Sequence, residues 1–176
     1  ELCGATNKHA LKNPKVKLHM ADGRELLAVT RQHYDLVLSE PSNPFRSGVA
    51  SLYSKDFYEA VNDKLTDDGV FGQWVQAYEI EPEAVQVVLA TMKSVFPHLS
   101  AWQLGPGDML IVATKKPQTW DADRLRALSA MEPYTTAFQR LFGVVGAEGV
   151  LSLHLASDPF LDKLALASGD DVNSDD

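Results

Sequence analysis

Tyr34-Asp35-Leu36-Val37-Leu38-Ser39-Glu40-Pro41-Ser42-Asn43-Pro44 is the stretch from which the fold follows. Its first six residues are nearly continuous in apolar character, the pattern of a strand buried on both faces of a parallel sheet, where no solvent side imposes alternation. Glu40-Pro41 ends it. Upstream, Lys15-Val16-Lys17-Leu18-His19-Met20 alternates with period two after the turn signal Asn13-Pro14 and predicts a strand ending at Ala21-Asp22-Gly23. A short helix from Arg24 to Thr30 is expected next. Downstream, Ser54 can cap a helix whose first turn carries Asp56 and whose Phe57, Val61 and Leu65 share a face. Asp67-Asp68-Gly69 ends that helix, and Val70-Phe71-Gly72-Gln73-Trp74-Val75-Gln76 is the next strand. Pro82 through Phe96 keeps Val85, Val88, Leu89 and Met92 in helical step.

Leu99 to Leu104 and Met109 to Thr114 then read as two strands joined by Gly105-Pro106-Gly107-Asp108. A turn that short demands antiparallel pairing. Successive βα units followed by a hairpin predict an α/β protein, a three-layer αβα sandwich in which the hairpin adds one antiparallel strand to the edge of a parallel sheet. From Trp120 onward helical patches (Asp121 to Met131, Tyr134 to Phe142, Asp158 to Ala167) occur without a strand of comparable strength. The expected organisation is a sheet domain over 1–118, a helical C-terminal extension over 119–167 and a solvated acidic tail over 168–176.

The chain has 176 residues, 45% of them hydrophobic, which is enough to bury a core without disulfides or a structural metal. With 16 Lys+Arg against 24 Asp+Glu the formal charge is −8, so nucleic acid is not an expected partner and a small cationic substrate is favoured. Cys3 is the single cysteine and reads as an ordinary thiol. No apolar run approaches the roughly 20 residues of a membrane span, and a cytoplasmic location is expected.

In open α/β sheets ligands bind beyond the carboxyl ends of the strands. The residues there are Asp22 and Gly23 after the first strand, Glu40, Ser42 and Asn43 after the second, and Gln73 through Tyr78 and Glu79 on the third. Each has a structural reading as well. Asp22 forms turns, Asn43 before a proline shapes loops, and Gly72 beside Gln73 fits either a strand bulge or the close approach of a ligand. Tyr53 and Tyr58, flanking an amphipathic helix, read as core more readily than as ligand contacts. Glu40 is the hardest to explain structurally, since a carboxylate after a buried strand must be solvated or paired. The five histidines show no metal-ligand spacing, and no metal is expected.

Tyr34 through Pro44, then Leu52-Tyr53 and Phe57-Tyr58, then Gly69-Val70-Phe71-Gly72-Gln73-Trp74, strongly resemble the spermidine synthase family, nearest to its spermidine synthase-like subgroup. The resemblance runs from Asn13 to about Thr114 and implies a Rossmann-like sheet of the class I methyltransferase type. It implies aminopropyl transfer from decarboxylated S-adenosylmethionine to a di- or polyamine. By position it gives Glu40 the role of base, Asp22 and Gly23 the adenine contact of an S-adenosyl cofactor, and Asn43 a place on the acceptor side; Ser42, Gln73, Tyr78 and Glu79, from their place at the strand ends, are further candidates for binding the acceptor.

Two departures matter. Asn43 stands where the family carries a second acid, which leaves room for a changed acceptor or for methyl transfer from S-adenosylmethionine. The Gly-rich turn after a first strand is not found, so the sheet is expected to be partial at its N-terminus and the chain to be a fragment cut at both ends. That expectation admits a non-catalytic module that pairs through an exposed sheet edge as a homodimer, and an upstream membrane domain.

Overall fold

The computed structural model describes residues 9–42, 48–76, 78, 80–169 and 171–175. They fall in two compact units, Glu1–Thr30 and Arg31–Asp176.

In the first unit a 3-10 turn, Ala10–Lys12, precedes the helix α1, Gly23–Val29. The strand expected over Lys15 to Met20 does not form, and Val16, Leu18 and Met20 are exposed. Alternation only permits a strand. The ladder needs a neighbouring backbone, and this segment pairs with none among the described residues.

The second unit is built on β1 (Tyr34–Ser39), β2 (Leu65–Gln76), β3 (His98–Gly105), β4 (Asp108–Thr114) and β5 (His154–Ser157), in the spatial order β1-β2-β4-β3-β5. β1 and β2 are parallel; β4 is antiparallel to both of its neighbours. The hairpin therefore does not put its antiparallel strand on the edge, as expected from sequence. β4 inserts between β2 and β3, where it can bond on both sides. Asp67-Asp68-Gly69, expected to end the preceding helix, instead lies inside β2, where the register is irregular: Tyr34 pairs with Leu65 while Leu36 already pairs with Val70.

The helices are α2 (Lys55–Lys64), α3 (Pro82–Lys93), α4 (Ala122–Ser129), α5 (Tyr134–Phe142), α6 (Gly146–Leu151) and α7 (Asp158–Leu166). Ser54 caps α2 as predicted, its hydroxyl accepting from the Phe57 N–H at 3.3 Å; Leu65, expected on the helix face, is instead the buried first residue of β2, while Phe57 and Val61 are buried on the helix. That face packs on β2 through an aromatic cluster in which the Phe71 ring lies 5.8 Å from Tyr58, 6.2 Å from Phe57 and 5.7 Å from Phe96. Contacts of this kind add about 0.5–1.5 kcal/mol per pair beyond the area they bury, and they fix α2 against the strand that carries Gln73.

β5 and α6 were not legible from the pattern. β5 has four residues and one large apolar side chain, and it forms because β3 offers it an unpaired edge. β1 differs from the doubly buried strand expected: Leu36 and Leu38 are 55% and 66% exposed, and among the described residues β1 is an edge strand of the sheet. The acidic tail is largely exposed, yet it is anchored at Asn173. There the backbone N–H donates to the Thr91 hydroxyl, the carbonyl accepts from the Lys55 N–H and the side-chain amide donates to the Ala50 carbonyl.

Candidate functional site

The rim is set by register. Ser39, the last residue of β1, pairs with Gln73 of β2, so Glu40 emerges one residue beyond the ladder at the carboxyl end of β1. Glu40 is exposed and has no hydrogen bond or ion pair among the described residues. Pro41 beside it is buried and Ser42 is exposed.

Tyr53 closes this corner from below. It ends the 3-10 turn Ala50–Tyr53 and is buried, and its hydroxyl lies 3.2 Å from the Ser42 carbonyl and 3.4 Å from the Trp74 carbonyl. One phenol thereby joins the segment after β1 to the end of β2. Burial pushes the Tyr53 hydroxyl up to about 12, an effect the neighbouring Gln73 amide partly opposes. Tyr58 is driven well above the ordinary phenol range, first by burial and then by its proximity to Tyr53.

Gln73 is fully buried, and neither its amide nitrogen nor its amide oxygen has a hydrogen-bond partner of good geometry; the Tyr58 hydroxyl is in the same position. A buried polar group left so costs about 1–3 kcal/mol. The concentration of two such side chains beneath the rim, beside Tyr53, is therefore an expense the core does not require. A primary amide can give two hydrogen bonds and accept two, so Gln73 is equipped to engage a polar or cationic group entering from the strand ends.

Tyr78 lies at the same rim from another direction. It follows β2 by two residues and packs on the β3–β4 turn, where a Cβ on Gly107 would come 3.2 Å from the Tyr78 Cβ. Gly107 has φ +82°, so that turn requires glycine for its backbone as well as for this contact. Gly72 answers to neither alternative raised from sequence. Its register is continuous on both sides, and a Cβ there would meet the Leu38 Cδ2 at 2.6 Å and the Leu110 Cδ1 at 3.3 Å. The glycine gives room to two leucines.

Asp22 belongs to the first unit. Its Oδ1 caps α1, accepting from the Arg24 N–H at 2.8 Å and the Glu25 N–H at 3.3 Å. Gly23 has open space around the position of a Cβ. Asn43 and Glu79 lie outside the described residues. The structure thus brings together Glu40, Ser42, Gln73, Tyr53 and Tyr58. Tyr53 and Tyr58, read from sequence as core more readily than as ligand contacts, are both buried, and the Tyr53 hydroxyl adds the link to Ser42 and Trp74 that the pattern did not show.

No cluster of three His, Cys, Asp or Glu side chains suited to a metal ion occurs among the described residues, and no described helix is long and apolar enough to cross a membrane.

Residues 3–104 match the spermine/spermidine synthase domain. A polyamine aminopropyltransferase of Nitrosomonas europaea is 28% identical over 90 residues, covering 51% of this chain and 27% of that protein. Among solved structures, a spermidine synthase in complex with the transition state analogue AdoDATO superimposes with a TM-score of 0.65 at 17% identity, over 93% of this chain and 53% of that one. Human methyltransferase-like protein 13 in complex with SAH superimposes with a TM-score of 0.50 at 24% identity, over 61% of this chain and 53% of that one. These likenesses establish a Rossmann-like α/β fold of the methyltransferase type with an open sheet. The matches extend over 27% of the first relative's length and 53% of the solved spermidine synthase's.

Proposed function

The chain belongs to the spermine/spermidine synthase domain family, and from that premise we propose that it carries part of an aminopropyl-transfer site in which Glu40 is the base. The neutral nitrogen of a di- or polyamine attacks the methylene carbon beside the sulfonium of decarboxylated S-adenosylmethionine. The C–N bond forms as the C–S bond breaks, the electron pair stays on the sulfur of methylthioadenosine, and the proton leaving nitrogen passes to Glu40. The observation that carries the proposal is an exposed carboxylate without a partner among the described residues, held one residue past the Ser39–Gln73 pair.

On the acceptor side Gln73, Ser42 and Tyr78 would orient the amine, with Asn43 and Glu79 from the adjoining loops. Asp22 spends Oδ1 on its cap, which leaves Oδ2 to accept from the adenine amino group beside Gly23. The donor is a co-substrate and the chemistry calls for no metal. The proposal places the reaction in the cytoplasm and is compatible with a membrane domain ahead of the chain.

Asn43 favours a second reading, methyl transfer from S-adenosylmethionine, because an amide replaces a family acid that would hold a diamine. The exposed edge of β1, with Leu36 and Leu38, favours a third, a non-catalytic module pairing as a homodimer. Incubating the purified protein with a diamine and either donor separates them. Methylthioadenosine release supports aminopropyl transfer and S-adenosylhomocysteine release supports methyl transfer. Neither product, with a dimeric mass by light scattering, supports the module. Glu40→Gln is expected to lower aminopropyl transfer about 100-fold or more; an unchanged rate would remove Glu40 from the mechanism.

A further inference from the structure

At the far edge of the sheet from Glu40, β3, β5, the start of α7 and the strap 117–120 enclose a cleft of about 550 Å³, within the range of small-molecule sites. Along the strands it runs from His98, which opens β3 opposite Thr114, to Trp102, which pairs with Leu110 at the level of Trp74 but two strands away from it. Nothing in the proposed reaction uses it.

One wall is aromatic. The Trp102 ring lies 5.3 Å from Trp120 and 5.0 Å from His154. Trp102 is buried, but Trp120 is 58% exposed, an unusual cost for the largest apolar side chain and one that leaves an indole face open. The polar groups opposite are largely committed. The Ser100 hydroxyl accepts from Trp102 Nε1 at 3.0 Å and donates to Gln118 Oε1 at 2.9 Å. Asp158 Oδ1 accepts from the Leu99 N–H at 2.6 Å and from Lys93 at 2.8 Å, while Oδ2 accepts from His98 Nδ1 at 3.0 Å.

Ser157, His154 and Trp120 add neutral polar groups to the lining, and among the described residues the one ionised group on it is the Asp158 carboxylate. In the neutral imidazole that donates Nδ1–H to Asp158, Nε2 is a lone-pair acceptor, and Asp158 Oδ2 has room for a second donor. Desolvation alone would raise the Asp158 carboxyl, but the bonds from Leu99, Lys93 and His98 outweigh it and hold the group below its usual range. No lysine or arginine lines the cleft among the described residues. Lys93, just outside, is held by Asp158, Asp162 and the Pro97 carbonyl. An anion would find no counter-charge here, whereas an ammonium would find a carboxylate, an imidazole nitrogen and indole faces, which attract cations through the ring quadrupole.

We propose that this cleft is a second binding site, for a primary organic ammonium ion whose hydrocarbon part lies on Trp120 and whose N–H groups are received by His98 and Asp158. It stands independently of the reaction proposed above.

The test is a titration with phenethylammonium chloride followed by the three indole N–H signals in ¹H–¹⁵N spectra of the full chain. Saturable shifts at Trp102 and Trp120 are expected, with Trp74, on β2 near the rim, unmoved. The neutral isostere 2-phenylethanol is expected to bind about tenfold more weakly, and Trp120→Ala to weaken the ammonium by a similar factor. Trp120→Leu keeps an apolar cover while removing the π face, and it decides the matter where the alanine variant does not fold. No saturable shift, a shift confined to Trp74, equal binding of the alcohol, or undiminished binding by folded Trp120→Leu would each overturn the site.

Discussion

The hydroxyl of Tyr53 meets the carbonyl of Ser42 at 3.2 Å, and through this bond the segment leaving β1 is held over the end of β2. Both ends of the bond lie close to the proposed base, so its removal should be felt locally. Tyr53→Phe keeps the buried ring and deletes only the donor to the Ser42 and Trp74 carbonyls. A stability loss of about 1 kcal/mol is expected by chemical denaturation. In the transfer assay the same variant should raise the amine KM more than it lowers kcat, because the segment positions the acceptor. A variant as stable and as active as the parent would dissociate Tyr53 from the site.

Tyr53 and Tyr58 also make the fold sensitive to alkali. Both phenols have higher pKa values in the folded chain than the ordinary value of 10, Tyr53 reaching about 12. The folded state therefore holds its phenolic protons where the unfolded chain has released them. Their contribution to stability is complete below pH 10 and is lost as pH rises through the folded-state value. The melting temperature should fall between pH 10 and about 12, and Tyr58→Phe should flatten that fall. A melting temperature level across this interval would mean that these hydroxyls are solvated.

How far the sequence foretells this depended on whether a signal was carried by local chemistry or by a distant partner. β1, the hairpin and α2 were legible because an uninterrupted apolar run, a Pro-Gly turn and a serine cap each act within a few residues. Lys15 to Met20 has the alternation of a strand but no ladder among the described residues. β5 has almost no pattern and yet pairs with β3. Glu40 was legible as a candidate at the rim because an acid after an apolar strand is conspicuous. Tyr53 was not, since its importance lies in reaching Ser42 and Trp74, eleven and twenty-one residues away. Asn173 likewise gives no sign in an acidic tail that its amide will dock on Ala50, because its partners lie more than eighty residues upstream.

The two glycines of β2 separate packing from function in a way that mutation can read. A Cβ at Gly69 would come 3.0 Å from the backbone carbonyls of Thr66 and Tyr34 and 3.1 Å from the Leu65 Cβ. None of these atoms can turn aside, so Gly69→Ala should cost about 1–3 kcal/mol by overpacking. At Gly72 the nearest atom is closer, the Leu38 Cδ2 at 2.6 Å, but it is the end of a flexible side chain that is 66% exposed. Leu38 can rotate into solvent, and alanine restricts the unfolded chain more than glycine does. Gly72→Ala should therefore stay within about 1 kcal/mol of the parent by urea denaturation, despite the shorter contact. It should also leave amine binding unchanged, since the space at Gly72 is filled by leucines. Loss of amine binding in a stable Gly72→Ala protein would return this glycine to the ligand site, and a larger destabilisation than at Gly69 would show that Leu38 is held in place.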